Sequence, residues 1–342
     1  MVVKIGWLVD GVAGYASRFL HVRSAEYDTS ADLERHYIGL PQEQLFPAPE
    51  RPPLVLRRPV YSLGDRVVES LSFASEHVCL CPKYRIRHDR DYAANHTVYA
   101  RWMHPRSGPR RHLILYVHGW LEPGPWIEET TLLPKMYREL DVDCAHIQLP
   151  FHGKRTPRGS LFHGEHYFTA DLVRSLEAIR QSIIDVRSML LWFRSQGYEQ
   201  IGVTGLSLGG SLTMLLACLS PLPDYIVPMI SHLDLLDAVE NAPILWRMRT
   251  DLERFGIGPE RRAEIFQSIG LSSLPPALSP ERQLWVAARE DRYLSAHAVE
   301  RQWEAWQRPP ILWIGGGHMT FPVAVGRIIR RMGELKQGLT LP

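Results

Sequence analysis

A serine between glycines near the middle of the chain, in Gly205-Leu-Ser207-Leu-Gly209, is the first candidate for chemistry. A β-rich run over residues 198–204 precedes it, and a good helix-forming segment begins at Ser211. A sharp turn between a strand and a helix lifts a serine hydroxyl clear of the sheet, where it can attack a substrate. Glycines two residues to either side avoid steric collisions in such a turn. This arrangement predicts that Ser207 is a nucleophile.

A serine hydroxyl is a weak nucleophile, so it needs an adjacent base, and an imidazole base needs a carboxylate to hold its tautomer. His318 is the best candidate base, because it follows an apolar run and three glycines, Gly315–Gly317. Asp291 follows the preceding apolar run and is the preferred acid. Its neighbour Glu290 is a possible substitute, and Asp234, which follows a still earlier run, is a further alternative.

Short apolar runs alternate with helical segments after Arg111, which is typical of strands buried on both faces by helices. We predict six strands, at residues 113–117, 142–149, 201–204, 225–230, 283–288 and 311–314. The clearest helix spans residues 171–196, where apolar residues recur at spacings of three and four. Thr169 is its expected N-cap and Gly197 its expected end. The pattern predicts an α/β fold with a mostly parallel, doubly wound sheet and helices on both faces.

The alternating patterns at residues 67–73 and 96–104 predict antiparallel strands that lead into this sheet, joined by an exposed charged loop at 85–95. Residues 1–60 are expected to form an N-terminal arm, with a short helix and an extended Pro-rich run, because they hold too little periodic apolar material for a core. Residues 61–342 would form the main domain. Residues 232–281 exceed what one connecting helix requires, so we predict a small helical lid there.

Over about residues 100–335 the chain resembles the α/β-hydrolase superfamily. The resemblance rests on His118-Gly119 after the first parallel strand, the turn at Ser207, and the acid and histidine after the last two strands. It implies a catalytic triad in the order Ser207, Asp291, His318. It also implies an oxyanion hole made by the backbone N–H groups of Leu208, after the nucleophile, and Trp120.

The loop containing His152 and Arg155 is similar to one in dienelactone-hydrolase-like and oligopeptidase-like members. Arg155, or the neighbouring Lys154, could bind a substrate carboxylate or phosphate. The other interpretation is a loop whose charges face water and whose His152 orders the turn. The segment His163-Gly-Glu165-His166 hints at metal ligands but lacks a confirming third site, so we expect neither a metal nor another cofactor.

Composition limits the possible partners. The net charge of +2 over 342 residues does not suggest a nucleic-acid partner. No stretch approaches the roughly 20 apolar residues of a membrane span, no secretory leader is recognisable at the N-terminus, and the four cysteines are expected to be reduced. These features predict a cytoplasmic protein.

The function that fits best is a cofactor-independent serine hydrolase that cleaves a small carboxylic ester, of the esterase or lipase kind, through an acyl-enzyme. Two alternatives are a small serine peptidase of the same fold and a protein of this fold that binds without turnover. The peptidase ranks lower because no propeller-sized domain precedes the hydrolase-like region.

Overall fold

The computed structural model describes residues 2–16, 25–219 and 223–340. Its centre is a nine-stranded sheet in the order β1-β2-β3-β5-β4-β6-β7-β8-β9. The strands are β1 (Leu56–Leu63), β2 (Arg66–Ala74), β3 (Thr97–Pro105), β4 (His112–Val117), β5 (Asp143–Ile147), β6 (Gln200–Leu206), β7 (Tyr225–Met229), β8 (Trp285–Ala288) and β9 (Ile311–Ile314). Pairings from β1 through β3 to β5 are antiparallel, and the remaining strand pairs are parallel.

All six predicted core strands and both predicted antiparallel strands are present. The structure adds β1, which begins inside the region interpreted as an extended arm and runs three residues past its predicted end at residue 60. Its residues are all exposed, and its pairing with β2 shifts register between Pro59 and Tyr61. Proline cannot donate to a sheet and is tolerated at an edge or a bulge, so the Pro-rich composition hid a real edge strand.

Helices cover both faces of the sheet, as the mostly parallel α/β prediction requires. They are α1 (Val2–Ala16), α2 (Ser30–His36), α3 (Gln42–Leu45), α4 (Pro82–Asp91), α5 (Trp126–Thr130), α6 (Leu132–Glu139), α7 (Leu172–Ser195), α8 (Leu208–Leu219), α9 (Leu235–Asn241), α10 (Trp246–Arg254), α11 (Pro259–Ile269), α12 (Ala296–Ala305) and α13 (Val325–Thr340). Helices α7 and α8 pack in the core on one face, and α6 and α13 on the other. The predicted α/β-hydrolase architecture is therefore confirmed.

Helix α7 is buried on almost all sides, although its sequence predicts only one apolar face. Segments from the N-terminal region cover its polar side: Tyr37 Oη donates to Glu177 at 2.5 Å, and Arg187 donates to the carbonyl of Phe46 at 2.8 Å. The helix begins one residue later than predicted, because the carboxylate of Asp171, and not Thr169, accepts the capping hydrogen bond. These contacts fit the interpretation of residues 1–60 as an arm, which stays a prediction.

The predicted exposed loop at residues 85–95 is wrong, because most of it belongs to helix α4. Pro82 occupies the first turn, where its missing N–H costs nothing. Tyr84 and His88, four residues apart, share the buried face of the helix, while the arginines between them point outward or to the rim. Because the segment is highly charged, its sequence did not indicate that a helix with a short buried face forms here.

Between β7 and β8 the chain forms α9, α10 and α11 with short 3-10 turns. These elements occupy the region that the sequence assigned to a lid, and that assignment stays a prediction. Within residues 2–16, 25–219 and 223–340, no helix is both long enough and apolar enough to cross a bilayer.

Candidate active site

Ser207 occupies the turn between β6 and α8 in a left-handed backbone conformation, with φ of 55°. Such a φ is uncommon for a residue with a side chain and is retained where the surrounding structure enforces it. A Cβ on Gly205 would lie 2.3 Å from the carbonyl oxygen of Gly209, and one on Gly209 would lie 2.0 Å from that of Val117. Both glycines are therefore required sterically, as the motif predicted.

The structure brings together the three residues predicted as nucleophile, base and acid. His318 Nε2 lies 2.9 Å from Ser207 Oγ, and His318 Nδ1 lies 2.7 Å from Asp291 Oδ2. The other oxygen of Asp291 accepts backbone hydrogen bonds from Tyr293 at 2.7 Å and Leu294 at 2.9 Å. With the carboxylate held in this way, a proton on Nδ1 leaves the Nε2 lone pair directed at the serine.

The two alternative acids make other contacts. Asp234 caps α9 through a 2.9 Å bond from the backbone N–H of Asp237, and its second oxygen pairs with Arg301 at 2.9 Å. The carboxylate oxygens of Glu290 are buried without a hydrogen-bond partner among the described residues. Neither acid is bonded to His318, so the geometry favours Asp291.

Two opposing effects set the basicity of His318. Burial lowers its pKa, but the carboxylate of Asp291 and, more weakly, that of Asp10 raise it, and the net pKa lies above the ordinary value for histidine. Tyr293 stacks on the imidazole with ring centroids 4.8 Å apart. The imidazole of His318 therefore lies in a negative environment that favours uptake of a proton, as the predicted role of base requires.

The predicted oxyanion donors lie on either side of the nucleophile. Leu208 is the first residue of α8, so its backbone N–H has no acceptor within the helix. The loop after β4 passes close by, since a Cβ on Gly119 would lie 3.7 Å from Ser207 Cβ. The Trp120 indole anchors this loop by donating to the carbonyl of Gly164 at 2.8 Å. The donor roles of Leu208 and Trp120 remain proposals.

His118 fixes the same loop from beneath. Its Nε2 accepts from the backbone N–H of Leu149 at 3.0 Å, and its Nδ1 lies 2.7 Å from the carbonyl of Gly119. Burial lowers the pKa of His118 to about 4, which keeps the ring neutral and able to accept and donate at once. This histidine orients the backbone and does not face a substrate.

His152 and Arg155 do not support the substrate-binding interpretation, because both are fully buried. The guanidinium of Arg155 is bound to Asp185 at 2.7 Å and to the carbonyls of Gln148 at 3.0 Å and Asn95 at 2.8 Å. His152 Nδ1 lies 2.8 Å from the carbonyl of Pro150. These contacts match the alternative interpretation only in part. His152 orders the turn as that interpretation expected, but Arg155 does not face water and instead forms hydrogen bonds in the interior.

The side chains of the His163–His166 segment make separate contacts. His163 Nδ1 lies 2.7 Å from Thr156 Oγ1, and Glu165 accepts from the backbone N–H of Leu161 at 2.6 Å. His166 packs against the ring of Tyr92. Among the described residues, these side chains belong to no cluster with metal-ligand geometry.

Asp10, on the N-terminal helix α1, is a site residue that the sequence analysis missed. It is fully buried, and its Oδ2 accepts from the backbone N–H groups of His318 at 2.7 Å and Arg292 at 3.2 Å. Its Oδ1 accepts from the backbone of Met319 at 2.9 Å. One carboxylate thus links the loop carrying His318 to the loop carrying Asp291, so we expect Asp10 to position both.

A face of small residues lets α1 approach these loops. A Cβ on Gly6 would lie 2.3 Å from the backbone nitrogen of Gly317, and one on Gly14 would lie 2.4 Å from Pro243 Cβ. Gly6, Asp10 and Gly14 recur every four residues, which places them on one side of a helix. The four-residue spacing could have indicated a packed helix face in the sequence. Two glycines and one carboxylate, however, do not form the apolar stripe by which such a face is usually recognised.

We expect Asp10→Asn to lower kcat by roughly 10- to 100-fold, the scale of misplacing a reacting group by about 1 Å. The amide nitrogen of asparagine cannot accept a hydrogen bond, so at least one of the three backbone N–H groups loses its acceptor. Removing the charge also lowers the pKa of His318, so the acidic limb of kcat/KM should move to lower pH. A pH–rate profile measures both effects.

Val12→Ala is the matched control for this prediction, because Val12 lies on the exposed side of the same helix. It should leave both the rate and the pH profile unchanged. A normal kcat with an unshifted acidic limb in Asp10→Asn would show that the carboxylate does not position His318.

Ser207 opens into an apolar cavity of about 110 Å³. Helices α7 and α8 form one wall, and the segment between β7 and β8 forms the other. The large side chains of its lining include Trp120, Phe168, Leu245, Met248, Phe266 and Tyr293. The shape and lining suit a small apolar group placed next to the serine hydroxyl.

Comparisons with known proteins agree with this architecture. Residues 97–237 match the family model described as "Alpha/beta hydrolase domain containing 18". Over 241 residues the chain is 29% identical to the uncharacterized protein Rv2627c of Mycobacterium tuberculosis. That match covers 65% of this chain and 55% of the relative, so the chain spans about half the length of the curated relatives it matches.

Solved structures share the fold at low sequence identity. The acetyl xylan esterase of Paenibacillus sp. R4 superposes with a TM-score of 0.60 at 14% identity, covering 86% of this chain and 99% of that one. Acetyl xylan esterase 1 of Thermoanaerobacterium sp. gives 0.59 at 15% identity, covering 89% and 98%. A prolyl endopeptidase gives 0.54 at 15% identity, covering 81% of this chain and 39% of that one. With the strand order and the matched segment, these similarities show that the chain has the α/β-hydrolase fold.

Proposed function

We propose that this protein is a serine hydrolase that cleaves a carboxylic ester through an acyl-enzyme intermediate. The observation that supports this most strongly is the continuous hydrogen-bonded path from Ser207 Oγ through His318 to Asp291. A protein that only binds ligands has no need for a serine in a strained turn, a base aligned on it and a buried acid behind the base. This argument favours catalysis over the binding-only alternative.

In the proposed reaction, Ser207 Oγ attacks the ester carbonyl while His318 Nε2 takes up the hydroxyl proton. The negative charge on the carbonyl oxygen would be stabilised by the backbone N–H groups of Leu208 and Trp120. His318 then returns the proton to the departing alcohol, which leaves an acyl group on Ser207. A water molecule, deprotonated by the same imidazole, hydrolyses this acyl-enzyme and restores the free serine.

The cavity beside Ser207 favours an ester with a short apolar or aromatic acyl group. Its lining is mostly aliphatic and aromatic, and its polar side chains include Ser175, Ser207, Ser211, His232 and Asp234. The Ser211 hydroxyl donates to the carbonyl of His232 at 2.7 Å, so this polar group is already engaged. A peptide would bring amide groups that need hydrogen-bonding partners, so the lining supports the ester over the peptidase alternative.

A fluorophosphonate probe tests the proposal directly, because it reacts only with an activated serine. We expect stoichiometric labelling of the native protein and an adduct that mass spectrometry locates on the peptide containing Ser207. Heat-denatured protein is the control and should not react. Absence of labelling in protein shown to be folded by circular dichroism would contradict the enzymatic function and favour the binding-only alternative.

A further inference from the structure

A buried cluster of ligand-type side chains lies outside the candidate active site. His77, Cys79 and His88 each present one ligand atom, and the three atoms lie within 4.8 Å of one another. The side chains of His77 and His88 are 1% and 5% exposed, and Cys79 is likewise buried. The first two precede α4 in the chain, and His88 lies on its buried face. The fold thus brings two imidazoles and a thiol together away from water.

The hydrogen bonds of the two histidines leave one nitrogen on each ring unused. His77 Nε2 lies 2.6 Å from Glu177 Oε2, whereas its buried Nδ1 has no hydrogen-bond partner in the part of the chain that the structure describes. His88 Nδ1 lies 3.4 Å from Asp89 Oδ1, whereas its buried Nε2 has no partner among the same residues. A buried nitrogen without a partner costs free energy, so two in one cluster call for an explanation.

The arrangement of Glu177 supplies a second argument. A histidine that binds a metal commonly donates its other N–H to a carboxylate, which fixes the ring and directs the free lone pair at the ion. Glu177 holds this position behind His77 and is itself fixed by Tyr37 Oη at 2.5 Å and the backbone N–H of Leu80 at 2.7 Å. Its carboxylate is therefore aligned before any ion arrives.

We propose that His77, Cys79 and His88 bind one thiophilic transition-metal ion of the Zn²⁺ type. Two imidazoles and one thiolate are ligands that Zn²⁺ accepts at tetrahedral sites, and a water molecule would complete the fourth position. On binding, the sulfur–hydrogen bond of Cys79 breaks, the proton passes to solvent, and the sulfur lone pair forms the bond to the metal. No electron is transferred in this step.

The bound ion would stabilise the fold and take no part in the proposed ester hydrolysis. It joins the segment before α4 to α4 itself and, through Glu177, to the central helix α7.

Metal binding to the whole protein tests the site. Protein stripped with a chelator and loaded with Co²⁺ should take up one ion per chain and show the near-ultraviolet sulfur-to-cobalt charge-transfer band. Zn²⁺ should displace the cobalt stoichiometrically and raise the melting temperature, since it binds the folded chain. No charge-transfer band in Co²⁺-loaded wild type would overturn the proposal, whatever the behaviour of any variant.

Variants locate the ion. Cys79→Ser should abolish the charge-transfer band, and His88→Gln should weaken Zn²⁺ binding by more than about 100-fold, beyond the usual loss for an outer partner. Cys218→Ser is the matched control, because Cys218 is also free and buried but lies on α8. Cys81 belongs to a neighbouring group with Asp32 and His36. Loss of the band in Cys81→Ser, with retention in Cys79→Ser, would overturn the assignment by moving the ion to that group.

Discussion

Ser207→Ala should abolish hydrolysis of short p-nitrophenyl esters while the protein remains folded. Removing the hydroxyl removes the atom that forms the acyl-enzyme, and in a serine protease the loss of one such residue lowers kcat by about 10⁶-fold. The stability should change little, because alanine adopts the same strained backbone as serine and the lost bond is a single contact with His318. The measurement is the turnover number on one ester, with a thermal melt of the same sample.

Ser107→Ala is the control for that experiment, since Ser107 lies exposed in the turn between β3 and β4. It should retain full activity. If Ser207→Ala kept a rate within a few-fold of wild type, the nucleophile would have to lie elsewhere, and the proposed mechanism would fail at its first step.

Asp291→Asn should lower the rate by about 10⁴-fold, as the equivalent change does in a serine protease. One oxygen of Asp291 accepts two backbone N–H groups, so the asparagine carbonyl will occupy that position. Its amide then donates to His318 Nδ1 and forces the proton onto Nε2. An imidazole protonated at Nε2 cannot accept the proton of Ser207.

Asp234→Asn is the paired comparison, because Asp234 was the strongest competing acid. Asparagine caps a helix as well as aspartate does, and the Arg301 partner is about half exposed, so little should be lost. Both turnover numbers should be measured on the same ester, with circular dichroism to verify folding. A large loss in Asp234→Asn beside a near-normal rate in Asp291→Asn would reassign the acid.

Much of the catalytic arrangement could be predicted from the sequence because its signals are local. Gly205 and Gly209 flank Ser207 within five residues. The need for glycine at position 205 comes from the turn's own backbone, whereas at position 209 it comes from the neighbouring strand β4 at Val117. His318 and Asp291 follow directly after apolar runs that become β9 and β8. Since parallel strands place their carboxyl ends along one edge of the sheet, chain order alone predicted that these loops would meet.

Side chains whose roles depend on distant partners could not be assigned in this way. Arg155 has the appearance of a surface cation in the sequence, and only the fold shows that it is bound to Asp185 in the interior. The charged composition of residues 82–91 likewise suggested a loop, because the partners that bury Tyr84 and His88 come from other segments. The neighbouring residues in the sequence do not indicate which distant residues a side chain will contact.

The sequence by itself therefore predicted Ser207 as the nucleophile and His318 as the base, with a short list of acids, because each is indicated by its neighbours along the chain. The tertiary structure favours Asp291 over Asp234 as the acid, since it places the carboxylate of Asp291 against the imidazole of His318. It also decided the role of Asp10, whose partner His318 is 308 residues away. The backbone N–H groups that bind this carboxylate cannot be recognised in the sequence, because every residue except proline offers the same donor.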